Sequence, residues 1–337
     1  MTVPLAAIFA VSGTELTADE RAFLRDANPL GFILFGRNCE EPETIRKLTG
    51  ELRDCVGRSD APILIDQEGG TVMRLRPPIW SDAPAARTLG TLFMREPDRA
   101  MRAAYAVGCL FGAELRDLGI DVDCAPVADL GLPQTTGAIG TRAYSDKLEV
   151  IVSLARQMAR GLIHEGCLPV MKHMPGHGRG QVDSHRVLPR VDAGLETLRE
   201  SDFATFRALR DLPLGMSAHI VFKAIDPDAP ATISRKVIEE VVRGDIGFDG
   251  FLFSDDIAMS ALRGNPAERT RNVLRAGCDA VLHCTGDLSE MMDVASAAMP
   301  LSDKAQARWA KALTMRPIPS GLAVEDYADQ LAQNLKG

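Results

Sequence analysis

A (β/α)8 barrel of the TIM type with extra C-terminal helices is the fold this sequence predicts, and three observations carry the prediction. Eight short apolar runs are each followed by Gly, Asp, Asn or His, amphipathic stretches separate them, and no glycine-rich phosphate fingerprint follows the first run. Near-continuous apolar runs alternating with helices describe a parallel sheet covered on both faces. An open doubly wound sheet is the competing arrangement, but "AVSGTEL" after the first run is not the glycine fingerprint such a sheet normally carries.

The runs, in order, are "LAAIFAVSG" (5–13), "GFILFGRN" (31–38), "PILIDQEGG" (62–70), "IDVDCAPVADLG" (120–131), "LPVMKHMPG" (168–176), "LGMSAHIVF" (214–222), "GFLFSDDIAM" (250–259) and "CDAVLHCTG" (278–286). The first helix, "TADERAFLRDA", opens on a Thr17/Glu20 capping box, and "PETIRKLTGELRDCV" has Pro42 near its first turn. Residues 97–118, 146–165, 194–211, 233–243, 264–276 and 286–298 carry the same apolar periodicity. No compositional linker interrupts the chain, so one barrel domain over about 5–298 and a helical extension over about 300–337 are expected.

Composition narrows the function. Hydrophobic residues make up 46% of the 337, enough for a large core, and the net charge of −8 argues against nucleic acid or an anionic membrane as the main partner. The seven cysteines are scattered and contain no CxxC pair, which suits a reducing compartment. The apolar start "MTVPLAAIFAVSG" has no basic n-region and is too short to span a bilayer, so it reads as a buried strand of a cytoplasmic protein.

In such barrels the chemistry sits where strands end at their C-terminal side. Asp66 closes the third run ahead of Glu68, two glycines and Arg74; it is either the head of a turn or an acceptor for substrate hydroxyls. The small-residue segment "VADLGLPQTTGAIGTRAYSD" reads as a binding loop in which Arg142 offers a fork of donors, or else faces solvent. "FLFSDDIAM" sets two carboxylates side by side; on an extended strand they point apart, so one of them faces the mouth as a candidate nucleophile.

The segment "KHMPGHGRGQVDSH" (172–185) holds three of the six histidines. Lys172 and His173 should alternate into and away from the barrel, and "PGHGRGQ" must be a loop. Pro175 and Gly176 exclude the helical HxxxH of a metal site, and no Gly-Lys-Ser/Thr completes a phosphate loop. A third reading pairs Asp183 with His185, the carboxylate fixing the imidazole tautomer and raising its basicity. His219 reads as mouth-lining or structural, and His164 and His283 as ordinary histidines.

Together, "IDQEGGTVMRL", "GTRAYSD", "KHMPGHG" followed by "DSH", and "FSDDIAM", in that order, resemble the β-N-acetylhexosaminidases of glycoside hydrolase family 3 over roughly residues 5–290. The resemblance implies a cofactor-free, metal-free retaining exo-glycosidase that removes terminal β-linked N-acetylglucosamine. Asp255 would be the nucleophile and His185 the acid/base, with Asp183 as its partner. Asp66, Arg74, Arg142, Lys172 and His173 fall on sugar-binding positions. The implied substrates are muropeptides carrying GlcNAc linked to 1,6-anhydro-N-acetylmuramic acid, handled by a monomer or weak dimer whose 174–185 loop moves. Met174 and Tyr144 stand where the family usually has Phe, which bears on substrate packing. A β-glucosidase or phosphorylase of the same family is the nearer alternative, a metal-dependent amidohydrolase barrel the more distant one.

Overall fold

A computed structural model describes residues 2–184 and 187–336. Eight strands close a parallel barrel: β1 (Leu5–Phe9), β2 (Pro29–Leu34), β3 (Ile63–Ile65), β4 (Val122–Asp123), β5 (Leu168–Met174), β6 (Leu214–Ser217), β7 (Phe251–Asp256) and β8 (Ala280–His283). Neighbours in sequence are neighbours in the barrel, and β8 pairs back onto β1 through Ala7 and Val281. All eight apolar runs of the sequence therefore become barrel strands.

Helix α1 (Ala18–Ala27) starts at the expected capping box, and α2 (Pro42–Val56) has Pro42 at its first position. A short α3 (Ala86–Phe93) leads into the long α4 (Pro97–Asp117), which crosses α5 (Leu148–His164) at Gly108 and Gly161. A Cβ on Gly108 would lie 2.1 Å from the Met158 carbonyl oxygen, so only glycine permits this approach. Two expected helices differ from their periodicity. The 194–211 stretch divides at Ser201 into α6 (Leu195–Glu200) and α7 (Asp202–Ala208), because Arg179 from the β5 loop docks there on Ser201 Oγ and Asp202 Oδ2. The 233–243 stretch becomes a π-helical segment, Val237–Asp245, with wider turns than the 3.6-residue pattern assumes. Helices α8 (Pro266–Ala276) and α9 (Leu288–Ala297) fall where the periodicity places them.

The alternation of side chains divides the core in two. One set, including Ile8, Leu64, Val122, Val170, Met216, Phe253 and Leu282, fills the barrel interior, and the other lies between the strands and the helices outside. The C-terminal extension completes the interior set. Helix α10 (Asp303–Leu313) places Trp309 edge-on to Phe251, with ring centroids 5.4 Å apart, so the barrel floor is plugged by a residue outside the repeating units. Helix α11 (Val324–Leu335) returns to the flank, where the Tyr327 hydroxyl donates to the buried Glu165 carboxylate at 2.6 Å.

Candidate active site

A cavity of about 370 Å³ opens at the C-terminal ends of the strands. Asp66, Arg74, Arg142, Lys172, His173, Asp183 and Asp255 all line it, so residues spread over nearly two hundred positions converge as strand-end chemistry requires. His185 lies outside the described residues. Asp183 and Ser184, which lead to it, reach the cavity wall.

The wall between β3 and β5 is a lattice of charges. Lys172 Nζ donates to Asp66 Oδ1 at 2.8 Å and contacts Glu68 Oε1 at 2.6 Å. Arg74 donates to the other Asp66 oxygen at 2.9 Å. Arg142 grips Glu68 with both arms of its fork, Nε to Oε2 and Nη2 to Oε1, each at 2.8 Å. Burial alone would push these carboxyls up; Lys172 and Arg74 more than reverse this for Asp66, leaving it far below its ordinary range. For Glu68, Arg142 and Lys172 do the same and bring it to about 2. Burial would depress Lys172, but Asp66 and Glu68 hold it protonated. The lattice therefore pairs its cations with its carboxylates, and of the cations Lys172 is the one that also acts on Asp255.

Asp255, in β7, accepts from the Asp256 N–H at 2.8 Å. Burial raises its carboxyl, while the neighbouring imidazoles of His219 and His173, the Asp256 N–H and Lys172 together lower it further than burial lifts it, so it is ionised. Asp256 also lines the cavity, because the register of β7 shifts between Phe253 and Asp256 and the strict alternation expected for the pair is lost. Asp256 Oδ1 accepts from the backbone, from Ala258 N–H at 3.0 Å and Cys284 N–H at 3.1 Å. Burial, with the neighbouring Asp255, raises the Asp256 carboxyl while that of Asp255 is lowered, so Asp255 is the member of the pair held ionised.

The alternation expected at Lys172 and His173 also fails. β5 is irregular between Met171 and Met174, and both side chains face the cavity. Asp129 organises the end of β5 and the turn beyond it: it accepts from His173 N–H, from His173 Nδ1–H at 2.7 Å and from His177 N–H at 2.6 Å. The Asp129 contact places a proton on His173 Nδ1.

The residues sequence reasoning passed over are Glu68 and Asp129. Glu68 follows Asp66 by two, the spacing that puts side chains on one face of an extended chain, and that signal was readable. Asp129 gave none, because its partners lie more than forty positions away. Met174 and Tyr144 are buried away from the cavity. Met174 fills the space over Gly215, and the Tyr144 hydroxyl points at Met158 Sδ, so both departures concern core packing rather than substrate packing. His219 is the structural alternative: it is fully buried, with Nε2 at 2.9 Å from the Asp256 carbonyl oxygen. Among the described residues no group of three His, Cys, Asp or Glu side chains is arranged to hold a metal ion, and no helix is long and apolar enough to cross a membrane.

Residues 5–316 match the family described as the glycosyl hydrolase family 3 N terminal domain. A β-hexosaminidase from Alkalilimnicola ehrlichii is 39% identical over 281 residues, covering 82% of this chain and 80% of that one. The crystal structure of native NagZ from Neisseria gonorrhoeae superposes with a TM-score of 0.88 at 29% identity, over 99% of both chains. The same Neisseria protein in complex with N-trifluoroacetyl-D-glucosamine gives 0.88 at 30% identity, over 99% of this chain and 98% of that one.

Proposed function

This chain belongs to glycosyl hydrolase family 3 and is a β-N-acetylhexosaminidase; from that premise we propose that it is a retaining exo-enzyme, with Asp255 as nucleophile and the Asp183–His185 pair as acid/base. The observation that carries the reading is Asp255: an ionised carboxylate in the cavity wall, its pKa lowered in part by Lys172, and accepting one backbone N–H. Such a carboxylate attacks the anomeric carbon from one face of the sugar, and a proton donor on the other face protonates the departing oxygen. Asp183 lines the cavity; in this reading it orients the His185 imidazole, which after protonating the leaving oxygen takes a proton from the water that releases the sugar.

Asp66, Arg74, Arg142, Lys172 and His173 hold the terminal sugar. Each carboxylate in this lattice already accepts from cations, yet a carboxylate oxygen has two lone pairs, so Asp66 can still take a sugar hydroxyl while Lys172 and Arg74 fix its direction. The proposed substrate is a terminal β-linked N-acetylglucosamine on 1,6-anhydro-N-acetylmuramoyl peptides, in cytoplasmic recycling of cell-wall fragments by a monomer or weak dimer. A bound N-trifluoroacetyl-D-glucosamine in the related Neisseria protein supports an N-acylated sugar in the cavity.

A chromogenic β-N-acetylglucosaminide and the matching β-glucoside test the substrate, with the first expected to be cleaved at least about tenfold better. The reverse preference overturns it. A fluorinated glycoside that traps the glycosyl-enzyme is expected to label Asp255; label on Asp256 or Asp66 assigns the nucleophile elsewhere.

A further inference from the structure

His177 has no role in the proposed mechanism, and its surroundings give it one. It sits on the turn after β5, anchored by its own backbone N–H to Asp129, and it is a lining residue of the cavity although only 2% of it is exposed. The ring stands edge-on to His173, centroids 5.9 Å apart. Neither Nδ1 nor Nε2 has a hydrogen-bond partner among the described residues. Buried polar atoms are paired in native proteins because each unpaired one is costly, and two on one side chain are a marked exception.

The returning loop packs against one edge of the ring: a Cβ on Gly180 would lie 3.0 Å from both Cε1 and Nδ1. Burial, opposed by Asp129, lowers its pKa to about 4, so it is neutral near neutral pH. A neutral imidazole offers one donor and one acceptor, and a hydroxyl is the ligand group that answers to either. A carboxylate or phosphate prefers donors alone, and Lys172 and the arginines already supply those.

We propose that His177 is a specificity-determining residue of this cavity, hydrogen-bonding through a vacant ring nitrogen to a hydroxyl of the bound terminal sugar. The inference rests on the glycosidase function proposed for the cavity and adds a sugar contact to it. The test pairs substitutions with substrates: wild type, His177→Phe and His177→Asn are each assayed on an aryl β-N-acetylglucosaminide and on its mono-deoxy analogues, with melting temperatures recorded. His177→Phe keeps a ring without polar atoms and is expected to lose roughly 10–100-fold in kcat/KM, whereas His177→Asn, which keeps a donor and an acceptor, recovers to within about tenfold of wild type. One deoxy analogue, disfavoured by wild type roughly 10–100-fold, is handled by His177→Phe as well as the parent substrate. If every deoxy analogue is discriminated equally by wild type and His177→Phe, or if His177→Phe is fully active, the proposal is overturned. Absence of wild-type turnover overturns the glycosidase function instead; the same comparison, read as calorimetric affinity for N-acetylglucosamine and its deoxy forms, then decides the contact.

Discussion

At the floor of the barrel, Asp279 accepts from the Leu252 N–H at 2.9 Å and from Arg243 and Arg308, each at 2.9 Å. Asp121 accepts from the Ile63 N–H at 2.8 Å and pairs with Arg53 and Arg316. At the mouth, Asp66 and Glu68 are gripped just as firmly by Lys172, Arg74 and Arg142, but Asp255, within the field of the same lattice, accepts from its neighbour's backbone and faces open volume. The two ends use the same residue types. The floor satisfies both oxygens of each carboxylate with strand N–H groups and arginines, so its charges only hold strands in register. The mouth pairs its cations with Asp66 and Glu68 and leaves Asp255 on the cavity wall with one backbone donor. The residue types do not separate structure from function here; what separates them is whether the last acceptor is used up.

Exchanging the two ends should therefore break the protein in two different ways. Asp255→Ala is expected to lower kcat by at least about a thousandfold, with a melting temperature within about 2 °C of wild type, because a carboxylate held ready for chemistry contributes little to the fold. Asp279→Ala should do the opposite: it strands two arginines and a backbone N–H, a loss of about 3–5 kcal/mol that lowers the melting temperature by roughly 5–10 °C, while kcat/KM of the folded enzyme stays within about threefold. Steady-state kinetics and thermal unfolding on both variants decide this. A large loss of activity at the floor, or of stability without activity at the mouth, would remove the distinction.

Glu68→Gln sharpens the same comparison at smaller scale. The amide keeps the shape but frees half of the Arg142 fork and one contact of Lys172. The expected result is a fall in kcat/KM of roughly 10–100-fold, expressed mainly in KM, because the sugar-holding cations lose their fixed direction while Asp255 keeps its charge. Unchanged kinetics would mean that Asp66 alone positions Lys172.

The sequence made the barrel legible because each strand is a short apolar run closed by a polar residue, a signal that needs no knowledge of distant contacts. It made Asp66, Lys172 and Asp255 legible as strand-end groups for the same reason. What it hid were consequences of irregular pairing: both Lys172 and His173, and both Asp255 and Asp256, face the cavity because β5 and β7 shift register at their ends. Asp129 was hidden because a buried carboxylate that organises three donors across more than forty residues leaves no local pattern. The split of the 194–211 helix at Ser201 belongs to the same class, since it depends on Arg179 arriving from the active-site loop. Trp309, beneath Phe251, was expected only as part of a helical tail, yet it closes the barrel floor.

The last and smallest expected effect separates mouth from floor by pH. His177 at about 4 in the folded protein, against 6.5 for the free side chain, binds its proton more weakly folded than unfolded. Its contribution to stability is therefore complete above about pH 6.5 and is lost progressively as pH falls toward about 4. Glu68, lowered from 4.5 to about 2, behaves the same way in a lower window, full above its unfolded value and lost as pH falls through about 2. Between about pH 6.5 and about pH 5 the histidine acts while Glu68 does not. His219 and His283, also lowered by burial, add their own slopes, but these are common to wild type and His177→Asn and cancel in the difference. Urea unfolding at about pH 7 and about pH 5 should show wild type losing about 2 kcal/mol more than His177→Asn, one proton's worth of linkage over that interval. The groups facing His177 are Asp129, His173 and Asp255, and Asp129 opposes the shift, so a difference near zero would mean that its carboxylate holds the protonated ring as well as the cavity repels it. A floor variant such as Asp279→Ala should leave this slope in place, since the titrating ring lies at the other end of the barrel.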